Sequence, residues 1–208
     1  MMCKFIKTTK PLLILLQGTS GTGKSTLAAL LGTRLAGLGN LGGTKSSSVT
    51  VMSTDSIRHV MRNYISEEDE PILFASTYQC GKVLENDPKY KEMDSVAKNL
   101  EGYKLQCEKV QEHLSSVIKN HMANNKSLIV EGVHLNPPFI DKMLLTYPGQ
   151  CIPFLICVKN PQNHQERFAV RSKTMSMDPA ANKYIKNYQS IWEIQDMMIK
   201  IAEAHTKV

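Results

Sequence analysis

Residues 17–28 read QGTSGTGKSTLA and directly follow the apolar run PLLILL at residues 11–16. Gly18, Gly23, Lys24 and Ser25 match the pattern G-x-x-x-x-G-K-[ST]. Glycines in this pattern let the backbone turn its N–H groups inward around a phosphate, and the N-terminus of the following helix adds partial positive charge. A strand, this turn and a helix in succession therefore predict a site for the phosphates of a nucleoside triphosphate.

We expect nine residues of this loop to bind ATP together with Mg²⁺. Lys24 is placed to reach the β- and γ-phosphates and is therefore a candidate catalytic residue. The hydroxyl of Ser25 is a candidate Mg²⁺ ligand, and Thr26 either caps the helix or contacts the α-phosphate. The predicted nucleotide-binding residues are Gly18, Thr19, Ser20, Gly21, Thr22, Gly23, Lys24, Ser25 and Thr26.

Four short apolar runs alternate with helical patterns along the chain. The runs span residues 12–17, 49–53, 127–130 and 152–158. Continuous apolar runs predict strands buried on both faces, and strands that alternate with helices predict a mostly parallel sheet. The fold class is therefore α/β. With the phosphate-loop pattern, we expect a three-layer P-loop NTPase fold of the nucleoside-monophosphate-kinase-like type. We expect a single domain over residues 1–208, with helices flanking the sheet.

Three features of the helical patterns lead to specific expectations. In the longest pattern, over residues 93–121, Gly102 is a candidate break between two helices. Pro161 and Pro179 each follow a residue that can cap a helix, which predicts two helix starts.

Two carboxylates follow predicted strands. Asp55 comes after the second strand and Glu131 after the third, and ligands of open α/β sheets bind at the carboxyl ends of the strands. Asp55 is expected either to take the proton of an acceptor hydroxyl or to help hold Mg²⁺. Glu131 is expected to orient Mg²⁺ and to line the substrate site, because a buried glutamate needs a partner. For His134 we favour a structural, hydrogen-bonded role.

Arginines occur in pairs four residues apart. Arg58 and Arg62 share a helical face, where Arg58 is expected to bind a negatively charged acceptor, or both pair with the acidic run at residues 67–70. A similar group follows the fourth strand.

That second group comprises Arg167, Arg171 and Lys173, which suit a lid over about residues 161–182. On a closing lid, Arg167 and Arg171 would neutralise charge that develops during phosphoryl transfer, and Lys173 would contact the substrate. The alternative is that Glu166 holds one arginine in a surface pair.

Composition limits the classes of partner. The net charge is +6, and six lysines or arginines precede Asp55, the first acidic residue. This imbalance predicts an anionic partner but does not distinguish nucleic acid, a membrane surface or a small polyanion. The longest apolar run, residues 12–16, is too short to span a membrane, and no signal peptide is recognisable, so we expect a cytoplasmic protein. The oligomeric state stays open.

The motifs together resemble those of one kinase family. They read GTSGTGKST, STDSIRHVMR, ASTYQCGK, EGYKLQCEKV, IVEGVHL and ERFAVRSKTMSMDPAANKYIKN. The chain from residue 12 to residue 204 resembles the archaeal 2-phosphoglycerate kinase family, and more closely the kinase-like domain of plant low-phytic-acid P-loop proteins. The resemblance implies transfer of the γ-phosphate of ATP to a small, acidic, already phosphorylated hydroxy compound such as 2-phosphoglycerate.

The resemblance also implies residues of an acceptor pocket. These are Ser76, Thr77, Tyr78, Tyr103, Lys104 and Gln106. The alternative is that the tyrosines pack between helices and that Lys104 is solvated. The sequence departs from the family in two places: Trp192 stands where an arginine is usual, and the chain ends at AEAHTKV, before the usual final strand.

Three other functions stay open at this point. The missing arginine and the short end are compatible with a catalytically silent ATP-binding module that regulates a partner. The plant resemblance allows inositol phosphates as acceptors. The basic composition allows a kinase of nucleic-acid 5′-hydroxyls, but the sequence lacks the interleaved aromatic and basic residues with which single-strand binders stack bases, so nucleic acid is an unlikely partner.

Overall fold

The computed structural model describes residues 10–40, 49–174 and 182–206. The strands are β1 (Leu13–Gln17), β2 (Val49–Ser53), β3 (Ser127–Gly132) and β4 (Cys151–Leu155). The helices are α1 (Lys24–Asn40), α2 (Thr54–Met61), α3 (Pro71–Phe74), α4 (Ser95–Ala123), α5 (Pro137–Thr146), α6 (Pro161–Thr174), α7 (Lys183–Lys186) and α8 (Tyr188–Thr206). Two short 3₁₀ helices, Cys80–Leu84 and Pro88–Tyr90, connect α3 to α4.

The four strands form one parallel sheet in the order β2-β3-β1-β4. The predicted α/β class is therefore confirmed. The register pairs Gln17 with Gly132 and Ser53 with Glu131. Because parallel strands end at the same edge of a sheet, this register brings the glycine-rich turn, Glu131 and the start of α2 side by side.

The sheet is covered by apolar clusters on both faces. One cluster joins β1 and β3 to α4 and α5, and the other joins the opposite face of the same strands to α1. Each fully buried leucine of β1 contributes about 1.5–3 kcal/mol relative to an exposed one. The expectation that all four strands are buried on both faces is wrong for β2 and β4, where Val51 is 42% and Phe154 is 47% exposed. Both lie on strands at the edges of the sheet, where one side has no neighbouring strand.

Helix α4 runs without interruption through Gly102. The candidate break at Gly102 is therefore not present in this helix, and packing explains the glycine. A Cβ atom at Gly102 would lie 2.6 Å from the carbonyl carbon of Cys80, so only glycine lets the 3₁₀ helix approach this closely. The side chain of Asp94 caps α4 by accepting from the N–H of Ala97 at 2.7 Å.

The start of α6 agrees with the sequence. Asn160 accepts a hydrogen bond from the N–H of Asn163 at 3.0 Å, and Pro161 is the first residue of the helix, as predicted. The helix predicted to start at Pro179 lies outside the described residues. Among the residues that the structure describes, none of the helices is both long and apolar enough to cross a membrane.

Candidate active site

The glycine-rich turn joins β1 to α1 and already holds its lysine. The ammonium group of Lys24 donates to the carbonyl of Thr19 at 2.7 Å, and the hydroxyl of Thr22 donates to the same carbonyl at 3.0 Å. Gly23 has φ +95°, a conformation that favours glycine, and no atom lies within 4 Å of the position of a Cβ there. The backbone of the turn at Gly23 thus borders open space.

A cavity of about 520 Å³, which we call the phosphate-loop cavity, opens beside this turn. The hydroxyl of Ser25 donates to Oε1 of Glu131 at 3.0 Å, and Glu131 is buried whereas the side chain of Asp55 is 67% exposed. One hydroxyl and two carboxylates are the hard oxygen ligands that Mg²⁺ prefers. The lining residues are Ser20, Gly21, Gly23, Lys24, Ser25, Thr26, Ser53, Asp55, Glu131, Gly132, Val133, Arg167 and Tyr184.

A second cavity of about 450 Å³, which we call the arginine cavity, adjoins the first. It contains Arg58 and Arg62, and Asp55 lines both cavities. A guanidinium nitrogen of Arg58 donates to the carbonyl of Ala75 at 3.1 Å and to the hydroxyl of Thr77 at 3.0 Å. Burial lowers the pKa of Arg58, although arginine stays charged at physiological pH. The cavity therefore presents positive charge next to Asp55.

The two arginines are held differently. Arg62 lies over the ring of Phe74, with 6.0 Å from its guanidinium carbon to the ring centroid. Its Nε and that of Arg58 are buried and find no hydrogen-bond partner among the described residues. Neither arginine pairs with the acidic run at residues 67–70 in the described part of the chain. An anion in this cavity would supply their missing partner.

A buried network of polar side chains, formed by Gln106, Thr77 and His134, lies next to the cavities. Gln106 donates through Nε2 to the carbonyls of Ile72 and Ala75, so its oxygen faces His134 and Thr77. The hydroxyl of Thr77 donates to that oxygen at 2.7 Å, and His134 approaches it through Nε2 at 3.0 Å. His134 must therefore carry its proton on Nε2.

The other nitrogen of His134 accepts a hydrogen bond from a hydroxyl. Nδ1 lies 2.9 Å from Oγ1 of Thr54 and 3.8 Å from the carboxylate of Asp55. Burial lowers the pKa of His134 to about 4, although the charge of Asp55 opposes this shift. The imidazole is consequently neutral near pH 7, and its pair with Asp55 is not a salt bridge. This agrees with the structural role that the sequence favoured.

The buried, neutral His134 predicts acid sensitivity. Below the unfolded pKa of about 6.5 the unfolded chain binds a proton that the folded chain excludes until about pH 4, so stability is lost as pH falls through this window. When the pH is lowered from about 7.5 to about 4.5, we expect the free energy of unfolding to fall in both proteins. The fall should be about 2–3 kcal/mol smaller in His134→Gln, whose glutamine cannot titrate, than in the wild type. Urea unfolding at each pH measures this difference. Parallel curves for the two proteins would contradict the assignment.

Helix α6, which belongs to the predicted lid, contacts the phosphate loop. Arg167 on α6 donates to the carbonyl of Gly21 at 3.4 Å and lines the phosphate-loop cavity. No pair between Glu166 and an arginine occurs among the described residues. The side chains of Arg171 and Lys173 lie outside what the structure describes, so their roles in a lid stay predictions.

The acceptor-pocket residues implied by the resemblance separate into two groups. Ser76, Thr77 and Tyr78 line the arginine cavity. Tyr103 is buried and donates to the carbonyl of Val133 at 2.7 Å, while Gln106 belongs to the network described above. Lys104 lines neither cavity: its side chain is 52% exposed and pairs with Glu101 at 3.3 Å. The surface alternative therefore describes Lys104 better than the predicted substrate contact.

Among the residues that sequence reasoning missed, His164 contacts the phosphate loop directly. His164 of α6 is fully buried, and its Nε2 lies 2.8 Å from the carbonyl of Ser20. A single histidine in a helix gives no pattern, and these two residues are 144 positions apart.

Sequence comparison relates the chain to archaeal kinases. It is 33% identical over 199 residues to the 2-phosphoglycerate kinase of Methanopyrus kandleri, with 96% of this chain aligned. It is 31% identical over 195 residues, or 93% of this chain, to that of Methanocaldococcus jannaschii. The chain is a homologue of the archaeal 2-phosphoglycerate kinases. It spans only about half of the length of these kinases, 55% and 56% respectively.

Another relative carries no stated activity. An uncharacterized protein of Dictyostelium discoideum is 41% identical over 192 residues, which are 92% of this chain and 21% of that protein. No family model matches the chain. The closer resemblance to plant low-phytic-acid proteins stays a prediction.

Two solved structures overlap most of the chain at low similarity. The structure of the Pnkp1/Rnl/Hen1 RNA repair complex gives a TM-score of 0.46 and 14% identity over 92% of this chain and 46% of that one. A gluconokinase from Sinorhizobium meliloti 1021 gives a TM-score of 0.40 and 11% identity over 94% of this chain and 96% of that one. Neither similarity bears on the substrate.

Proposed function

We propose that this chain is an ATP-dependent kinase domain that phosphorylates a hydroxyl of a small, anionic, already phosphorylated metabolite resembling 2-phosphoglycerate. One observation carries the proposal: Asp55 lines both the phosphate-loop cavity and the arginine cavity. A nucleotide in the first cavity and an anionic acceptor in the second would place their reacting groups near Asp55. The names of the archaeal homologues support the same substrate class.

The chain's own residues divide into binding and reacting groups. Lys24 and the turn bind the phosphates of ATP, while Arg58 and Arg62 bind the anionic group of the acceptor. The acceptor oxygen attacks the γ-phosphorus, the bond to the bridging oxygen of ADP breaks, and Asp55 takes the hydroxyl proton. Arg167, which reaches the loop from α6, stabilises the negative charge of the transferring group.

We assign the magnesium site to Ser25 and Glu131, with Asp55 as a further candidate ligand. When bound, Mg²⁺ would neutralise negative charge on the transferring phosphate. The hydrogen bond between Ser25 and Glu131 keeps these two oxygens together before a metal arrives. Glu131 is buried, so its charge needs a cation or donors nearby.

The acceptor class predicts a clear preference among substrates. With γ-labelled ATP and Mg²⁺, we expect 2-phosphoglycerate to be phosphorylated with kcat/KM at least about 100-fold above that of glycerate, because glycerate lacks the phosphate group that would pair with the half-buried Arg58 and Arg62. The panel also includes 3-phosphoglycerate, inositol phosphates and an oligonucleotide with a free 5′-hydroxyl. Labelled product is measured after separation from ATP.

The other outcomes point to the alternative functions. Labelled inositol phosphate or oligonucleotide as the main product would contradict the proposed acceptor class while retaining a kinase. Tight ATP binding without product from any acceptor would favour a regulatory module. We further propose a cytoplasmic location and a single kinase domain over the whole chain, both of which rest on the sequence.

A further inference from the structure

Ser20, within the phosphate loop, has all of its polar groups bound by residues distant in sequence. Its N–H donates to the hydroxyl of Tyr78 at 2.8 Å, and that hydroxyl donates to Oγ of Ser20 at 2.8 Å. Nε2 of His164 lies 2.8 Å from the carbonyl of Ser20. A carbonyl only accepts, so His164 must donate through Nε2. We propose that Tyr78 and His164 are positioning residues that hold the phosphate loop in its binding conformation before a nucleotide arrives.

The hydroxyl of Tyr78 is suited to this contact with Ser20. Tyr78 is buried, and burial raises the pKa of its hydroxyl, which therefore stays protonated and serves as donor and acceptor together. Tyr78 also lines the arginine cavity, beside Thr77. The predicted substrate contact of Tyr78 stays a prediction, and its hydroxyl is already bonded to Ser20. An acceptor in this cavity would touch the residue that orders the ATP site.

His164 connects the same loop to the lid helix α6. Its ring stacks on that of Phe168, with centroids 5.0 Å apart, and meets the edge of Tyr188 at 5.9 Å. Nδ1 is buried and has no hydrogen-bond partner among the described residues. Burial of an imidazole with one unpartnered nitrogen is costly, and the bond to Ser20 is the one polar contact of this ring that the described residues show.

A loop with several glycines needs such anchors. Glycine samples many backbone conformations, so an unanchored loop would have to be ordered by the nucleotide at a cost in affinity. Tyr78 and His164 approach Ser20 from two separate elements and restrict it without ATP. Only the benefit to ATP binding rests on the proposed function; the ordering of the loop does not.

Hydrogen exchange in the ATP-free protein tests the role of Tyr78 directly. Tyr78→Phe keeps the ring and removes the hydroxyl, and we expect the N–H of Ser20 to exchange about tenfold faster than in the wild type. Tyr90→Phe is the matched control: Tyr90 is 5% exposed against 7% for Tyr78, its hydroxyl contacts Lys89, and it lines neither cavity. Exchange at Ser20 should not change in the control. Wild-type exchange in Tyr78→Phe would overturn the proposal.

The histidine is tested by a pair of variants. His164→Gln keeps an N–H donor and His164→Leu removes it. The amide hydrogens of the loop should therefore exchange at least about threefold more slowly in His164→Gln than in His164→Leu. Equal exchange rates in the two variants would show that the N–H of His164 does not order the loop. Thermal unfolding of each variant identifies any general loss of fold.

Calorimetric titration with Mg²⁺ and ATP separates this inference from the proposed function. We expect the Kd for ATP to rise about fivefold in Tyr78→Phe and to stay unchanged in Tyr90→Phe. A wild-type protein that ignores ATP at millimolar concentration would defeat the proposed kinase, whereas the exchange rates of the ATP-free protein would still decide whether Tyr78 and His164 order the loop.

Discussion

Replacing Lys24 by alanine is expected to lower kcat for phosphate transfer by at least about 100-fold to 1,000-fold. The ammonium group already lies 2.7 Å from the carbonyl of Thr19 and lines the phosphate-loop cavity, so it needs little rearrangement to meet a phosphate. Its removal takes away a fixed positive charge where negative charge develops on the transferring group. Initial rates of labelled product formation, at saturating ATP and acceptor, measure the effect.

Two comparisons make this result interpretable. Lys200→Ala removes an exposed lysine of α8, which pairs with Asp196 among the described residues, and should retain wild-type rates. Lys24→Ala should unfold within about 1 kcal/mol of the wild type, since the net contribution of a hydrogen bond such as that to Thr19 is of this size. A folded Lys24→Ala protein with full activity would show that the glycine-rich turn does not hold the reacting phosphates.

The sheet was predictable because its signals are local. The run at residues 13–16 is apolar without interruption, and β1 lies in the middle of the sheet with helices on both faces. The residues 49–53 were also placed correctly as a strand. The same local signal could not tell an edge strand from a central one, because strand order depends on pairing between distant segments. Val51 and Phe154 are partly exposed and lie on the two edge strands.

Gly102 shows a different limit. Glycine weakens an isolated helix, which makes Gly102 a candidate for a break. In the fold, the absence of a side chain lets the backbone of Cys80 approach α4, and this tertiary packing outweighs the local preference. The sequence of residues 93–121 alone could not predict that the 3₁₀ helix packs against Gly102.

Some residues of the candidate site could be predicted from local sequence patterns, and others could not. Lys24 and Ser25 belong to a contiguous pattern, and Asp55 and Glu131 follow apolar strands, so all four could be singled out from the sequence. Their roles stay predictions, although the structure brings them around one cavity. The contacts of Ser20 could not be foreseen, because they join segments 58 and 144 residues apart.

Asp55→Asn is expected to lower kcat by about 100-fold to 10,000-fold, the usual contribution of a general base. The substitution keeps the size of the side chain and removes only its charge and basicity. Asp55 lines both the phosphate-loop cavity and the arginine cavity, and its side chain is 67% exposed. The free energy of unfolding should therefore change by no more than about 0.5 kcal/mol. Steady-state kinetics with 2-phosphoglycerate as the acceptor provide the measurement.

The dependence on Mg²⁺ then distinguishes the two roles that the sequence left open for Asp55. If the carboxylate takes the acceptor proton, Asp55→Asn lowers kcat while the Mg²⁺ concentration at half-maximal rate stays that of the wild type. If it holds the metal, that concentration rises and excess Mg²⁺ restores part of the rate. Glu131→Gln is the reference for the second behaviour, because Glu131 is bonded to the Ser25 hydroxyl and is buried. An Asp55→Asn enzyme with unchanged kcat and unchanged Mg²⁺ dependence would exclude both roles and would remove the reason for joining the two cavities in one reaction.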